Sequence, residues 1–182
     1  MVRLIHFLYV MLYALVAGVM WGTWLSLGRT MTRYDAATFL ADGQHMIANL
    51  ATIMAVLMIS TAVLGAVVVV VLFVRRSTAA AWLGLASLVL VAAVIAVTLV
   101  VNVPIDNLIK TWTPTTLPAD WPDIRARWAA FHTLRTFLSL AGLAAAVGAA
   151  LTIRPAAARL RGDGVASPVN SPAGGPHRPR TG

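Results

Sequence analysis

Hydrophobic positions along the chain fall into four long runs with short polar breaks between them. The runs cover about residues 4–27, 47–74, 79–103 and 136–153. A helix needs about 20 residues to cross a hydrocarbon core of about 30 Å, and each run meets or approaches that length. None shows the two-residue alternation of a barrel strand. In lipid a backbone must satisfy its own hydrogen bonds, so continuous apolar runs fold as helices. The pattern predicts an all-α integral membrane four-helix bundle. Counted with its aromatic approach, the fourth span runs from about 128 to 153, inside a membrane domain of residues 1–161.

The breaks carry their own signals. Residues 75–78 leave room only for a tight antiparallel turn. Thr32 or Asp35 can cap a helix leading into the second span. Pro104 ends or bends the third. Pro114, Pro118 and Pro122 punctuate the last connection, where Asp120 and Asp123 suit the positive end of a helix starting near Pro122. Gly18 and Gly22, with Ala141, Ala145 and Gly148, offer small faces for close packing within the bundle. Residues 162–182 turn to Pro, Gly and Arg and read as a disordered tail, which takes His177 out of consideration.

Composition sharpens the class. Of 182 residues, 59% are hydrophobic and 11% charged, against about 45–50% and about 25% in soluble domains. One water-exposed core cannot absorb that excess. The chain has no cysteine, which excludes disulfides and thiolate metal sites. Its net charge of +8 comes from arginines flanking apolar runs rather than from a basic groove, so it reads as topology and not as nucleic-acid binding. Arg3 precedes an apolar stretch as in a signal peptide, but no A-x-A site comes after it, and the segment is expected to be a true span. With alternating helices, Arg3, Arg75, Arg76, Arg154, Arg159 and Arg161 share one side. Arg29, Arg33, Lys110, Arg125 and Arg127 share the other. The bias places both termini in the cytoplasm, with the bundle in the plasma membrane.

Polar groups at membrane depth are costly and so mark function. On the fourth helix Arg125, Trp128, His132 and Arg135 recur at helical spacing and share one face. His45, Asn49 and Thr52 do the same on the second. The third span ends in Asn102, Asp106 and Asn107, and the first in Trp21, Thr23 and Trp24. All converge on the end of the bundle opposite the termini. The bland reading has Arg135 snorkelling, His132 among headgroups, the tryptophans as an interfacial belt, and an Arg135–Asp106 pair as a structural knot. His6 lies a membrane thickness away and reads as an interfacial histidine.

Asn102-Val-Pro-Ile-Asp-Asn, Lys110-Thr-Trp112, Leu-Pro-Ala-Asp-Trp121 and Arg127-Trp128-Ala-Ala-Phe-His132-Thr-Leu-Arg135-Thr together form a pattern. It resembles the anthrone-oxygenase-like family of small four-span membrane proteins, catalogued largely as a domain of unknown function. The resemblance extends over about residues 5–153. Where many relatives have an asparagine after the Asn-x-Pro element, this chain has Asp106, with Asn107 next. It implies a membrane oxygenase or oxidoreductase acting on a lipophilic, anthrone- or quinol-like molecule. Such chemistry needs a base and donors around a developing oxyanion.

His132 is the expected base, with Arg135, Arg125 and Asn102 as stabilisers and Asp106 orienting the imidazole. Asn49, Trp128, Trp24 and Asn107 are expected to contact substrate. A metal variant would use His45, His132 and Asp106 as a two-histidine, one-carboxylate set; the sequence itself requires no cofactor. Expected partners are the bilayer, a lipophilic small molecule and, for an oligomer, a second copy. The competing reading is a non-enzymatic scaffold or accessory subunit whose polar cluster locks the bundle. A lined cavity would favour a site and a filled, ion-paired knot a scaffold. No Gly-rich nucleotide loop or mid-span charge points to a pump or channel, and four spans fall short of a transporter's inverted repeat. A reporter fused after Gly182 is expected to read cytoplasmic; an external signal would reverse the orientation.

Overall fold

A computed structural model describes residues 2–28 and 30–153, so the tail at 162–182 lies outside the described residues. Its helices are α1 (Val2–Ser26), α2 (Ala36–Val74), α3 (Thr78–Val97), α4 (Val103–Thr111) and α5 (Trp121–Thr152). A π-helical turn at Thr98–Asn102 fuses α3 and α4 into one rod, and a 3-10 turn at Met31–Arg33 precedes α2. There is no strand among the described residues. Four rods are long and apolar enough to cross a membrane: Val2–Arg33, Ala36–Val74, Thr78–Thr111 and Trp121–Thr152. The protein is an integral membrane four-helix bundle. α1 packs on α2 and α5, and α3 packs on the same two, which closes a ring. The start of α1, the α2–α3 turn and the end of α5 share one end of the bundle, the terminal end. The two longer connections lie at the far end.

Local chemistry explains the boundaries. Of the two candidate caps, Asp35 is used: its carboxylate accepts the Thr38 N–H at 2.8 Å. Arg76 takes a left-handed φ of 53°, which lets the chain reverse between α2 and α3. Pro104 does not end its rod. It has no N–H to offer the Val100 carbonyl, and the π turn immediately before it widens the helix to make room. Pro122 sits in the first turn of α5, where its missing N–H costs nothing.

The terminal half is held by close approach, as lipid requires. Ser87 donates to the Gly142 carbonyl at 2.8 Å. That occupies its only proton, so the Tyr9 hydroxyl must be the donor in the 2.7 Å contact with Ser87. This chain ties α1, α3 and α5 together in the core. Glycine makes it fit: a Cβ at Gly65 would lie 2.8 Å from the Tyr9 ring, and one at Gly142 would overlap the Tyr13 hydroxyl. Gly148 faces Leu83 in ordinary contact.

Two expectations are corrected here. Gly18 and Gly22 face outward with open space where a Cβ would be, so they do not pack within the bundle. His6 is not interfacial. It is 2% exposed, and its Nε2–H donates to the Ala146 carbonyl at 3.0 Å, drawn in because α5 presents small residues there.

Gly142→Ala should cost about 1–3 kcal/mol by overpacking, read as a lower melting temperature in detergent. Adding Tyr13→Phe, which removes the clashing hydroxyl, should recover part of it, and Gly18→Ala should melt like the native protein. At the start of α2, the Thr38 N–H holds the Asp35 carboxyl below the usual carboxylate range. That depressed folded-state value makes the cap effective above the unfolded pKa and lost as pH falls through the folded one. Hydrogen-exchange protection of the first turn should drop there, and Asp35→Asn should abolish the pH dependence.

Candidate functional site

The helical period brings Trp128, His132 and Arg135 of α5 to one inward face. Opposite them the π turn supplies Thr98, and by shifting the helical phase of α4 it turns Asp106 toward the same point. The contacts form a chain. The Trp128 indole N–H donates to Asp106 Oδ1 at 2.8 Å. The same indole stacks on the His132 ring, centroids 4.9 Å apart and planes 11° from parallel. Arg135 donates to His132 Nδ1 through Nε at 3.3 Å and an Nη at 3.1 Å, and to the Thr98 hydroxyl at 3.2 Å. Its guanidinium lies 5.9 Å from the Trp128 ring centroid. Behind them buried Asn102 donates to the Trp128 carbonyl at 3.3 Å, leaving its Oδ1 without a partner.

These groups line a cavity of about 220 Å³. Thr98, Asp106, Trp128, His132 and Arg135 make its polar wall. α1 and α2 supply an apolar one that includes Met20, Met46, Met54 and Met58, four of the seven methionines in the chain. Unbranched, polarizable thioethers adapt to a ligand and pack favourably against aromatic rings.

The hydrogen bonds fix the state of His132. A guanidinium only donates, so Nδ1 must accept, and the neutral ring carries its proton on Nε2. Nε2 is buried without a hydrogen-bond partner, with the Met20 backbone beside the ring. The expected ion pair is also not made. Asp106 and Arg135 attract across the cavity, but the carboxylate is engaged by the indole and the guanidinium by His132 and Thr98, with no direct contact between the two. Asp106 Oδ2 takes no hydrogen bond from the described residues.

Other expected site residues lie elsewhere. Arg125 donates to the Met31 carbonyl at 2.8 Å and the Tyr34 carbonyl at 3.2 Å and lies 4.7 Å over Trp121, so it pins the α1–α2 connection. Trp24 donates to the Thr133 hydroxyl at 3.1 Å and stacks on Trp21, outside the cavity. Asn107 is exposed and accepts from the Lys110 ammonium at 3.0 Å. His45, Asn49 and Thr52 do share a face of α2, but it is the exposed one; Met46, Ile47 and Leu50 turn inward instead. The three-ligand set of His45, His132 and Asp106 is therefore not assembled, and no group of three His, Cys, Asp or Glu among the described residues is placed to hold a metal ion. Sequence reasoning missed Thr98 and the methionines. Met46, Leu50, Met54 and Met58 recur every four residues, a signal present but indistinguishable from core packing.

Residues 48–145, more than half of the chain, match the family described as Anthrone oxygenase. The chain belongs to the anthrone oxygenase family. The matched stretch contains the whole polar wall and the Leu50–Met58 side of α2, while α1 lies outside it. No curated protein and no solved structure matches the chain. Membership makes this an oxygenase-like membrane protein.

Proposed function

We propose that the cavity is an oxygenase site for a compact, planar, lipophilic molecule with an activated C–H, of the anthrone type. One observation carries this: the polar cluster does not close on itself as a knot but stands around about 220 Å³ of space, with a methionine-lined wall opposite. A scaffold whose polar groups only lock the bundle has no use for an unmade ion pair beside a cavity.

In an anthrone, proton loss from the ring methylene leaves an enolate whose charge sits on the carbonyl oxygen. That electron-rich carbon is oxidised by dioxygen. One oxygen atom becomes the new carbonyl and the other leaves in water, so CH2 and O2 give C=O and H2O. The protein has to take the proton and hold the oxyanion. His132 is a poor base in this arrangement, because Arg135 occupies the one lone pair its neutral ring has. The base role passes to Asp106, whose Oδ2 is free. His132 becomes a donor through Nε2–H and, with the Arg135 charge, receives the oxyanion. Away from bulk water both interactions are stronger than at an exposed surface. Trp128 positions the pair, donating to Asp106 and stacking on His132, and Asn102 steadies its backbone. Arg125, Trp24, Asn49 and Asn107 take no part in the chemistry. With both termini cytoplasmic, the site lies in the outer half of the membrane.

The test is oxygen consumption and quinone formation by protein in vesicles carrying anthrone. Asp106→Asn keeps an acceptor for the indole but cannot take a proton, so turnover should fall by about 10²–10⁴-fold with an unchanged melting temperature. Full turnover in Asp106→Asn would overturn the base assignment, and quinone formation equal with and without the native protein would overturn the proposal.

A further inference from the structure

Four residues of the cavity wall, Ala51, Ala55 and Ile59 of α2 and Leu99 of the π turn, are at the same time exposed on the outside of the bundle. Ile59 and Leu99 are each 61% exposed. The wall is therefore open between α2 and the α3–α4 rod, and the rim of the opening is apolar. Ala51 and Ala55 stand one helical turn apart along its edge and are too small to cover it.

The depth of this opening is set by the outer face of α2. From Ile53 to Val74 its exposed positions are apolar; these 22 residues rise about 33 Å, close to the hydrocarbon thickness. Beyond them toward the far end come exposed Thr52, Asn49 and His45. The opening thus lies where headgroups meet acyl chains. On the aqueous side the cavity is shut. Phe39, Leu40, Ile105, Ile109 and Trp112 are buried together above it, and Gln44 ties α2 to the end of α4 through the Ile109 and Trp112 carbonyls at 3.0 and 2.9 Å. The cavity is also smaller than the about 300–1,000 Å³ usual for drug-sized ligands.

We infer that the site is loaded sideways from the bilayer, through a portal between α2 and the α3–α4 rod edged by Ala51, Ala55, Ile59 and Leu99, and that its substrate is a molecule dissolved in the membrane. This rests on the cavity being the substrate site. Loading is read in phosphatidylcholine vesicles as quenching of tryptophan fluorescence when anthrone is delivered from other vesicles. Ala55→Phe should slow loading about tenfold, and Ala51→Phe, one turn along the same edge, should do likewise if the first variant folds poorly. Val56→Phe, exposed on α2 but outside the cavity wall, should load like the native protein. Anthraquinone-2-sulfonate, which stays in water, should not quench. Native loading rates in both edge variants, or quenching by the sulfonate, would overturn the portal while leaving the cavity as the site. Failure of the native protein to take up anthrone would instead overturn the cavity reading, and the portal with it.

Discussion

A guanidinium inside an apolar bundle must find acceptors among the helices around it, because neither lipid nor water can supply them. Arg135 is that group, and the far half of the molecule is arranged around its needs. It takes a ring nitrogen from its own helix, a hydroxyl from the π turn and the face of an indole. The first of these choices sets the tautomer of His132. The stacking of Trp128 on that ring then aims the indole N–H, and the indole N–H holds Asp106. A carboxylate and a guanidinium end up facing the same space without touching. Had Arg135 paired directly with Asp106, one contact would have satisfied both charges and left nothing for a ligand to do.

The two halves of the bundle solve different problems. Toward the terminal end, tyrosines pass over glycines and a hydroxyl chain joins three helices, so the backbones come close and the space is filled. Toward the far end, where the π turn precedes Pro104, lies room that methionines line without filling. A cavity in a membrane bundle loses dispersion contacts for its lining. The tight half supplies the packing that lets the loose half stay open.

How much of this was legible in the sequence depended on which physical rule was in force. Run length and the demands of a backbone in lipid are strong rules, and they gave the four spans; proline and capping preferences gave the helix start near Pro122 and narrowed the α2 cap to Thr32 or Asp35. The spacing of Trp128, His132 and Arg135 gave their common face. Periodicity, however, says that residues share a face and not which way it points. In a soluble helix the polar side settles that question, but α2 is apolar on nearly every side through its span. His45, Asn49 and Thr52 therefore looked like a second site wall and are in fact on the exposed outer face of α2. Arg125 shared the right face of α5 but lies beyond the cavity, where the carbonyls of the α1–α2 connection claim it. Phase could not be read either through the π turn, because one inserted residue rotates everything after it.

The proposed position of the opening, at the boundary between lipid and headgroups, also accounts for a polar wall at that depth. Deeper in the hydrocarbon, the charges of Arg135 and Asp106 would face a steeper solvation penalty with no nearby polar layer to relieve it. Farther out, water would enter the cavity, screen both charges and compete for the enolate's oxygen. At the boundary a planar molecule with one polar edge is already oriented by the membrane, polar edge toward the headgroups and rings toward the acyl chains. On the proposed loading route, a sideways move into the cavity would carry that edge past Ala51 and Ala55 toward His132, Arg135 and Asp106 without turning it over. On that route the lipid would do part of the alignment before the protein makes a contact, so the proposed site would need few polar groups of its own.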